Sequence, residues 1–304
     1  LFAIAWQAAG DVWGRLVDAE GTPIFNRVQD DAQKAHMTQP SYDTLQLQEA
    51  QHVLHVTLHR PDVRNAMNGR MVQDLADVLA WAESRADVRA LVLRGADGNF
   101  SAGADLKDLG RSQGGQAAVA EWNAAFGRVC AAFAVTELPV VVALEGAVMG
   151  GGFGLACVAD VVLASTSAVF RLPETSLGLI PAQIAPFLLA RLGYSEAKRL
   201  SVTGGKIDAR EALTIRLVHE VHDGSEALAA AVSSTLTKIL SCAPQATRVT
   251  KALLLRAERE ARGQPAALVE HAAGLFASAF VGPEGQEGIS AFLQKKKPSW
   301  AGQA

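Results

Sequence analysis

Three consecutive glycines, Gly150, Gly151 and Gly152, interrupt an apolar stretch in the run Glu145-Gly-Ala-Val-Met-Gly-Gly-Gly-Phe-Gly-Leu155. Upstream, Leu138-Pro-Val-Val-Val-Ala-Leu144 is too short for a helix and β-branched at its centre, which reads as a buried strand. Downstream, Leu155-Ala-Cys-Val-Ala-Asp160 is bulky and apolar and reads as helix. Inside either element glycine is a poor choice, because it has the most conformational freedom to lose on folding. At a helix start it has a use. The first N–H groups there have no partner within the helix, and absent side chains let a ligand oxygen come close. The run therefore predicts strand, loop and helix, with an anion or oxyanion site at the helix start. Tight strand–helix packing is the other reading of an isolated glycine run.

The preceding chain alternates in the same way. Thr44 to Leu58 suits two short strands with a turn near Gln48-Glu-Ala-Gln51. Met71, Leu75, Val78, Leu79 and Ala82 fall on one face of an amphipathic helix. Ala90-Leu-Val-Leu-Arg94 is a short buried strand, followed by the loop Gly95-Ala-Asp-Gly-Asn-Phe-Ser-Ala-Gly-Ala104. A helical stretch from Ala117 to Val135 leads to Pro139 and the strand before the glycines. Alternating elements with short apolar strands predict an α/β fold with largely parallel pairing. After residue 183 strand signals nearly vanish. Helices are expected at 183–203, 208–216, 225–241, 245–262, 265–280 and 284–297. A helical C-terminal third with several apolar faces predicts self-association. Residues 1–36 lack sustained periodicity and end against His36-Met37, so Met37 reads as the natural start and the preceding segment as an extension.

Composition excludes several function classes. The chain of 304 residues is 49% hydrophobic and 19% charged, which suits a globular core. Its net charge of −3, with one basic cluster at Lys295-Lys296-Lys297, argues against nucleic acid and against an anionic membrane surface. The apolar stretch from Leu138 to Ala164 is long enough to span a bilayer, but Glu145, Asp160 and the glycines break it. Cys130, Cys157 and Cys242 lie far apart among apolar neighbours and read as buried thiols of a reducing, cytoplasmic compartment. The histidines show no metal-ligand spacing, and His52 and His55 read as surface residues, so no metal site is expected.

A second loop resembles the glycine run. Phe100-Ser-Ala-Gly-Ala-Asp-Leu-Lys107 also follows a strand and is also rich in small residues. Both can expose a backbone N–H at the carboxyl end of a strand, where open α/β sheets bind ligands. Two such groups converging on one point make an oxyanion hole, and one donor is typically worth about 2.7–4 kcal/mol of barrier. Glu174, among Leu172, Pro173 and Leu177, is a carboxylate in an apolar setting, which can raise its pKa toward the range proton transfer needs.

Four motifs come in the order and spacing of the enoyl-CoA hydratase/isomerase (crotonase) superfamily. They are Arg64-Asn-Ala-Met67, Phe100 to Leu106, Glu145 to Gly152, and Leu172-Pro-Glu-Thr-Ser-Leu-Gly-Leu-Ile-Pro181. Glu287 to Lys297 is similar to that family's closing segment, and the resemblance spans about residues 41–300. It implies a crotonase (ClpP-like) spiral of ββα units, with an α/β core over 37–235. It also implies a helical C-terminal trimerisation region over 236–304, giving homotrimers or hexamers that are dimers of trimers. The implied substrate is an acyl-CoA, with coenzyme A as part of the substrate and no separate cofactor. The resemblance places the oxyanion donors at Ala104 and Gly151 and a catalytic carboxylate at Glu174. It places CoA contacts at Arg64, at Ala66 through its backbone, at Ala102, Asp105 and Leu106, and at Lys296 or Lys297 from a neighbouring subunit.

The chain departs from the pattern at Gly154, where the two-glutamate hydratases have their other glutamate. Asp160 matches a position that is usually structural. Gly-Gly-Gly-Phe-Gly-Leu155 together with Leu172 to Phe187 resembles bacterial hydratases of branched glutaconyl-CoA thioesters. The stretch Pro181-Ala-Gln-Ile-Ala-Pro186 favours an isohexenyl branch, as in acyclic terpene catabolism, over the methyl branch of leucine catabolism. Glycine at 154 is expected to remove a charge and to open space beside the reacting carbons for the substrate's own carboxylate. With one carboxylate, isomerisation of an enoyl-CoA is a competing reading, and RNA binding, known among such relatives, is disfavoured by the charge.

Overall fold

The strand before the glycines is buried on both faces. Val140, Val142 and Leu144 of β4 (Val140–Leu144) join one hydrophobic core, while Val141 and Ala143, alternating with them, join another. Such two-sided burial is what a continuous β-branched run demands of an interior strand. The computed structural model describes residues 39–111, 115–260 and 265–302. In it, β4 lies inside a six-stranded sheet. The order runs from β1 (Leu45–Ala50) and β2 (Val53–Leu58) through β3 (Ala90–Gly95) and β4 to β6 (Val161–Ser165) and β9 (Glu220–His222). Only β1 pairs antiparallel; the other strands run parallel. A second, three-stranded sheet holds β5 (Ala147–Met149), β7 (Val169–Arg171) and β8 (Lys206–Asp208).

Helices cover the larger sheet as the periodicities predict. All five residues read as the apolar face of α1 (Gly69–Glu83) are buried, and the Asn68 side chain caps its start by accepting from the Met71 N–H. Next come α2 (Leu106–Arg111), α3 (Gly115–Val135), α4 (Gly151–Val158), α5 (Ala185–Thr203) and α6 (Ala209–Thr214). On the other face α7 (Gly224–Leu240) lays Leu228, Val232, Leu236 and Leu240 on Val92, Val141 and Leu163. Three further helices follow: α8 (Pro244–Glu260), α9 (Pro265–Val281) and α10 (Pro283–Leu293). Among the described residues no single helix is long and apolar enough to cross a membrane.

Polar anchors tie the late helices to the sheet. Asp160 accepts from the Val140 N–H at 2.7 Å and pairs with Lys251 at 2.6 Å, which holds α8 against the start of β4. Asp160 thus has the structural role its position suggests. The Arg89 guanidinium donates to the carbonyls of Leu240, Cys242 and Trp300, joining the C-terminal helices to β3.

Several expectations are corrected. The first hairpin turns at Gln51 and His52, both at positive φ (49° and 65°), because the β1–β2 ladder runs on to Ala50–Val53. β8 and β9 fall in the gaps between expected helices, where no strand is predicted; each is three residues long, too short to show a period. The last helix stops at Leu293, and Lys295 adopts a left-handed φ of 54°, so the lysine cluster lies beyond it. Cys130 and Cys157 are buried, but Cys242 is exposed. The extension at residues 1–36, and Met37, lie outside the described residues.

Candidate active site

The loop after β3 is held on both sides like an extra strand. Phe100 and Ser101 donate to the carbonyls of Glu145 and Ala147, and Met149 donates back to Ser101. On the other side Ala102 donates to Arg64, Met67 to Gly103 and Asp105 to Met67. Ser101 Oγ stitches the layers by donating to the Asn65 carbonyl at 2.8 Å and accepting from the Gly103 N–H. Gly103 (φ +92°) and Gly150 (φ +49°) turn in conformations that side chains disfavour, and a Cβ on Gly103 would stand 3.0 Å from the Met149 carbonyl oxygen. That close approach brings the two small-residue loops together. Among the described residues, the N–H groups of Ala104 and Gly151 donate to no protein acceptor. Gly151 opens α4, so its N–H also carries the positive end of that helix.

Glu174 opens a short 3-10 turn, Glu174–Leu177, capped by Gly178 at φ 72°. The Thr175 hydroxyl anchors this turn to the Ser201 carbonyl. The carboxylate lies over Gly150: Oε1 stands 2.8 Å from where a Cβ there would be. Oε2 is buried and has no hydrogen-bond partner. Burial pushes the Glu174 pKa above the ordinary carboxylate range.

Ala104, Gly151 and Glu174 line one cavity of about 420 Å³, together with Ala102 and Leu106. Its remaining walls come mainly from α3, α2, Met67, Val72 of α1 and the loop from Leu177 to Ile184, and are mostly apolar. The rim is apolar as well: Leu106, Val119, Leu177, Leu179 and Ile180 are all exposed, Ile180 at 73%. Glu174 is the only titratable side chain among the lining residues.

The remaining sequence-predicted contacts do not line this cavity. Arg64 is exposed, at φ 50° in the turn before α1. Ala66 is buried, its N–H given to Val63 and its carbonyl accepting from Arg60. The Asp105 carboxylate pairs with Arg60 at 2.9 Å and accepts from the N–H groups of Lys107 and Asp108, capping α2. Lys296 and Lys297 are exposed beyond α10, and Lys296 reaches Gln294 at 3.0 Å.

The space expected beside Gly154 is filled. A Cβ there would meet Ile184 Cγ2 at 2.3 Å, and Ile184 is 3% exposed. Gly154 lies one turn below Gly150 on α4. The place a second carboxylate would take is therefore occupied by a hydrocarbon side chain, and Gly154 itself does not line the cavity. A glutamate at 154 would have to displace Ile184, an overpacking that typically costs about 1–3 kcal/mol.

Sequence reasoning took Gln183 and Ile184 only as part of the Pro181–Pro186 stretch and passed over Asn123 and Trp122; all four line the cavity. The Trp122 Nε1 is buried without a partner. Gln183 rests in the notch left by Gly127, where a Cβ would lie 2.1 Å from its Oε1. Asn123 and Gly127 sit four apart on a helix face that hydropathy alone reads as ordinary core, which hid both.

Two unpartnered backbone N–H groups and a desolvated carboxylate lining one apolar cavity have the chemistry to hold charge on an acyl oxygen and to move a proton. The sequence profile of the enoyl-CoA hydratase/isomerase family matches residues 48–303, and the chain belongs to that family. The chain is 31% identical over 261 residues to the probable enoyl-CoA hydratase echA8 of Mycobacterium bovis, covering 86% of this chain and 98% of that protein. It is 32% identical over 253 residues to the 2,3-dehydroadipyl-CoA hydratase of Escherichia coli, covering 83% and 96%. Among solved structures, Pseudomonas aeruginosa AtuE matches with a TM-score of 0.82 and 48% identity, covering 85% of this chain and all (100%) of that one. The fold is the crotonase fold, with a helical C-terminal region.

Proposed function

We propose that the protein hydrates an α,β-unsaturated acyl-CoA in which the β-carbon is branched and the acyl chain carries a second carboxylate. The observation that carries the reaction is the pair of unpartnered N–H groups, Ala104 and Gly151, lining one cavity with the buried Glu174. The thioester oxygen accepts from both donors. Glu174 takes a proton from water, the water oxygen bonds to C3, and the C2–C3 π electrons move to the thioester oxygen as an enolate. The enolate collapses as C2 takes the proton back from Glu174, so one carboxylate serves both transfers and one water is added. Coenzyme A enters as part of the substrate, and no step requires a cofactor.

The acyl group is the finer part of the reading. A glutaconyl-type ester is favoured because the site lacks a second carboxylate that would repel one on the substrate. One relative is itself named for a dehydroadipyl-CoA, an enoyl thioester with a distal carboxylate. The apolar rim at Leu177, Leu179 and Ile180 supports a hydrocarbon branch, and the Pro181–Pro186 resemblance favours isohexenyl over methyl. The product is then a 3-hydroxy-3-alkylglutaryl-CoA. In labelled water, kcat/KM is expected to rank isohexenylglutaconyl-CoA above methylglutaconyl-CoA, and both well above crotonyl-CoA. If crotonyl-CoA ranks first, the carboxylate reading is wrong. A shifted double bond without label in an alcohol would make the enzyme an isomerase, which a single carboxylate also serves.

Self-association as a trimer or hexamer is part of the same proposal. It is supported by exposed apolar side chains on α9 and α10, among them Phe276 at 71% and Phe292 at 81%. A monomer in sedimentation at micromolar concentration would count against it. In such an assembly Lys296 or Lys297 of a neighbour is the proposed contact for the CoA phosphates.

A further inference from the structure

The helix and the loop that supply the apolar rim also carry two neutral amides that the reaction above leaves idle. Asn123, on α3, and Gln183, on the loop before α5, both line the cavity, and among the described residues neither side-chain amide has a hydrogen-bond partner. The Gln183 amide lies against the Gly127 notch. Asn123 is one turn earlier on the same helix, and residues four apart have Cβ positions about 5–6 Å from each other. The two carboxamides therefore occupy neighbouring places. Each amide offers two N–H donors and no charge.

Both amides are half-buried and reach solvent through the cavity, so a ligand oxygen that accepts from them takes the place of water there. A carboxylate is the acceptor that such donors suit best, since it takes up to four hydrogen bonds and donates none. Ile184 closes the place beside Gly154, so a second substrate carboxylate needs another seat. We propose that the Asn123–Gln183 carboxamide pair, set against Gly127, is the subsite for a carboxylate at the far end of the acyl chain. This rests on the reading that the acyl group carries one. Neutral amides hold that group without adding a cation that would pair with Glu174.

Saturated thioesters test the subsite without turnover. The affinities of the full chain for glutaryl-CoA and pentanoyl-CoA, which differ by a carboxylate in place of a methyl, are measured by calorimetry at about pH 8, where carboxylates are ionised. The wild type is expected to prefer glutaryl-CoA. Gln183→Glu and Asn123→Asp, near-isosteric changes that set a like charge against the ligand, should each lower that preference about tenfold or more. Gln183→Met, which keeps length and removes the donors, should bring the preference close to one. A wild type without preference overturns the subsite, as do variants that weaken both ligands equally, the result expected if the amides hold the attacking water. The reaction is scored separately. Preference without hydration of any enoyl-CoA would sink the proposed function and keep the subsite, and hydration without preference would do the reverse.

Discussion

Glu174→Gln lowers turnover by ~10²–10⁴-fold, the range for lost acid–base catalysis, with little change in affinity for a saturated acyl-CoA. Glutamine keeps the shape of the side chain over Gly150 and removes only the ability to hold a proton reversibly. The same variant is expected to unfold at a slightly higher temperature near neutral pH. Burial raises the Glu174 pKa in the folded protein. As pH rises from the unfolded-state pKa toward the folded-state one, the unfolded chain releases its proton first, so stability falls across that window. Activity runs the other way, because the base must be ionised. The acid limb of the kcat/KM profile should therefore lie above the ordinary carboxylate pKa and vanish in Glu174→Gln. Near-normal turnover in that variant would remove Glu174 from the mechanism.

Gly151→Pro removes the proposed second oxyanion donor, and turnover should drop by ~10²–10³-fold, the typical cost of losing one such group. Proline is compatible with the first position of a helix, and the N–H it deletes has no partner within the fold. Any side chain at 151 also crowds the site, however, since a Cβ would stand 2.5 Å from Met67 Cε. Gly151→Ala brings that same Cβ against Met67 and the Phe126 ring, at 3.1 Å from its Cζ, and keeps the N–H. The difference between the alanine and proline variants, both checked for folding by circular dichroism, isolates the donor. Equal losses in the two would mean that the Gly151 N–H does not hold the oxyanion.

Much of this protein was determined by local sequence. The apolar period of Met71 to Ala82, the two-sided burial of Val140 to Leu144 and the glycine turn at Gly150 are dictated by neighbours in the chain, and each appears where the residues place it. Motif order marks Ala104, Gly151 and Glu174 as proposed site residues, and all three line one cavity. What only the tertiary structure decided is how vacant positions are filled. Glycine at 154 reads as open space in a sequence, yet Ile184, from a loop distant in the chain, packs into it. Nothing in the helical stretch Ala117 to Val135 singles out Gly127, yet it is the notch that seats Gln183. Three-residue edge strands and the ion pairing of Asp105 to Arg60 escaped for the same reason. Periodicity and backbone preference act between near neighbours, whereas packing density is shared among segments that meet only after folding.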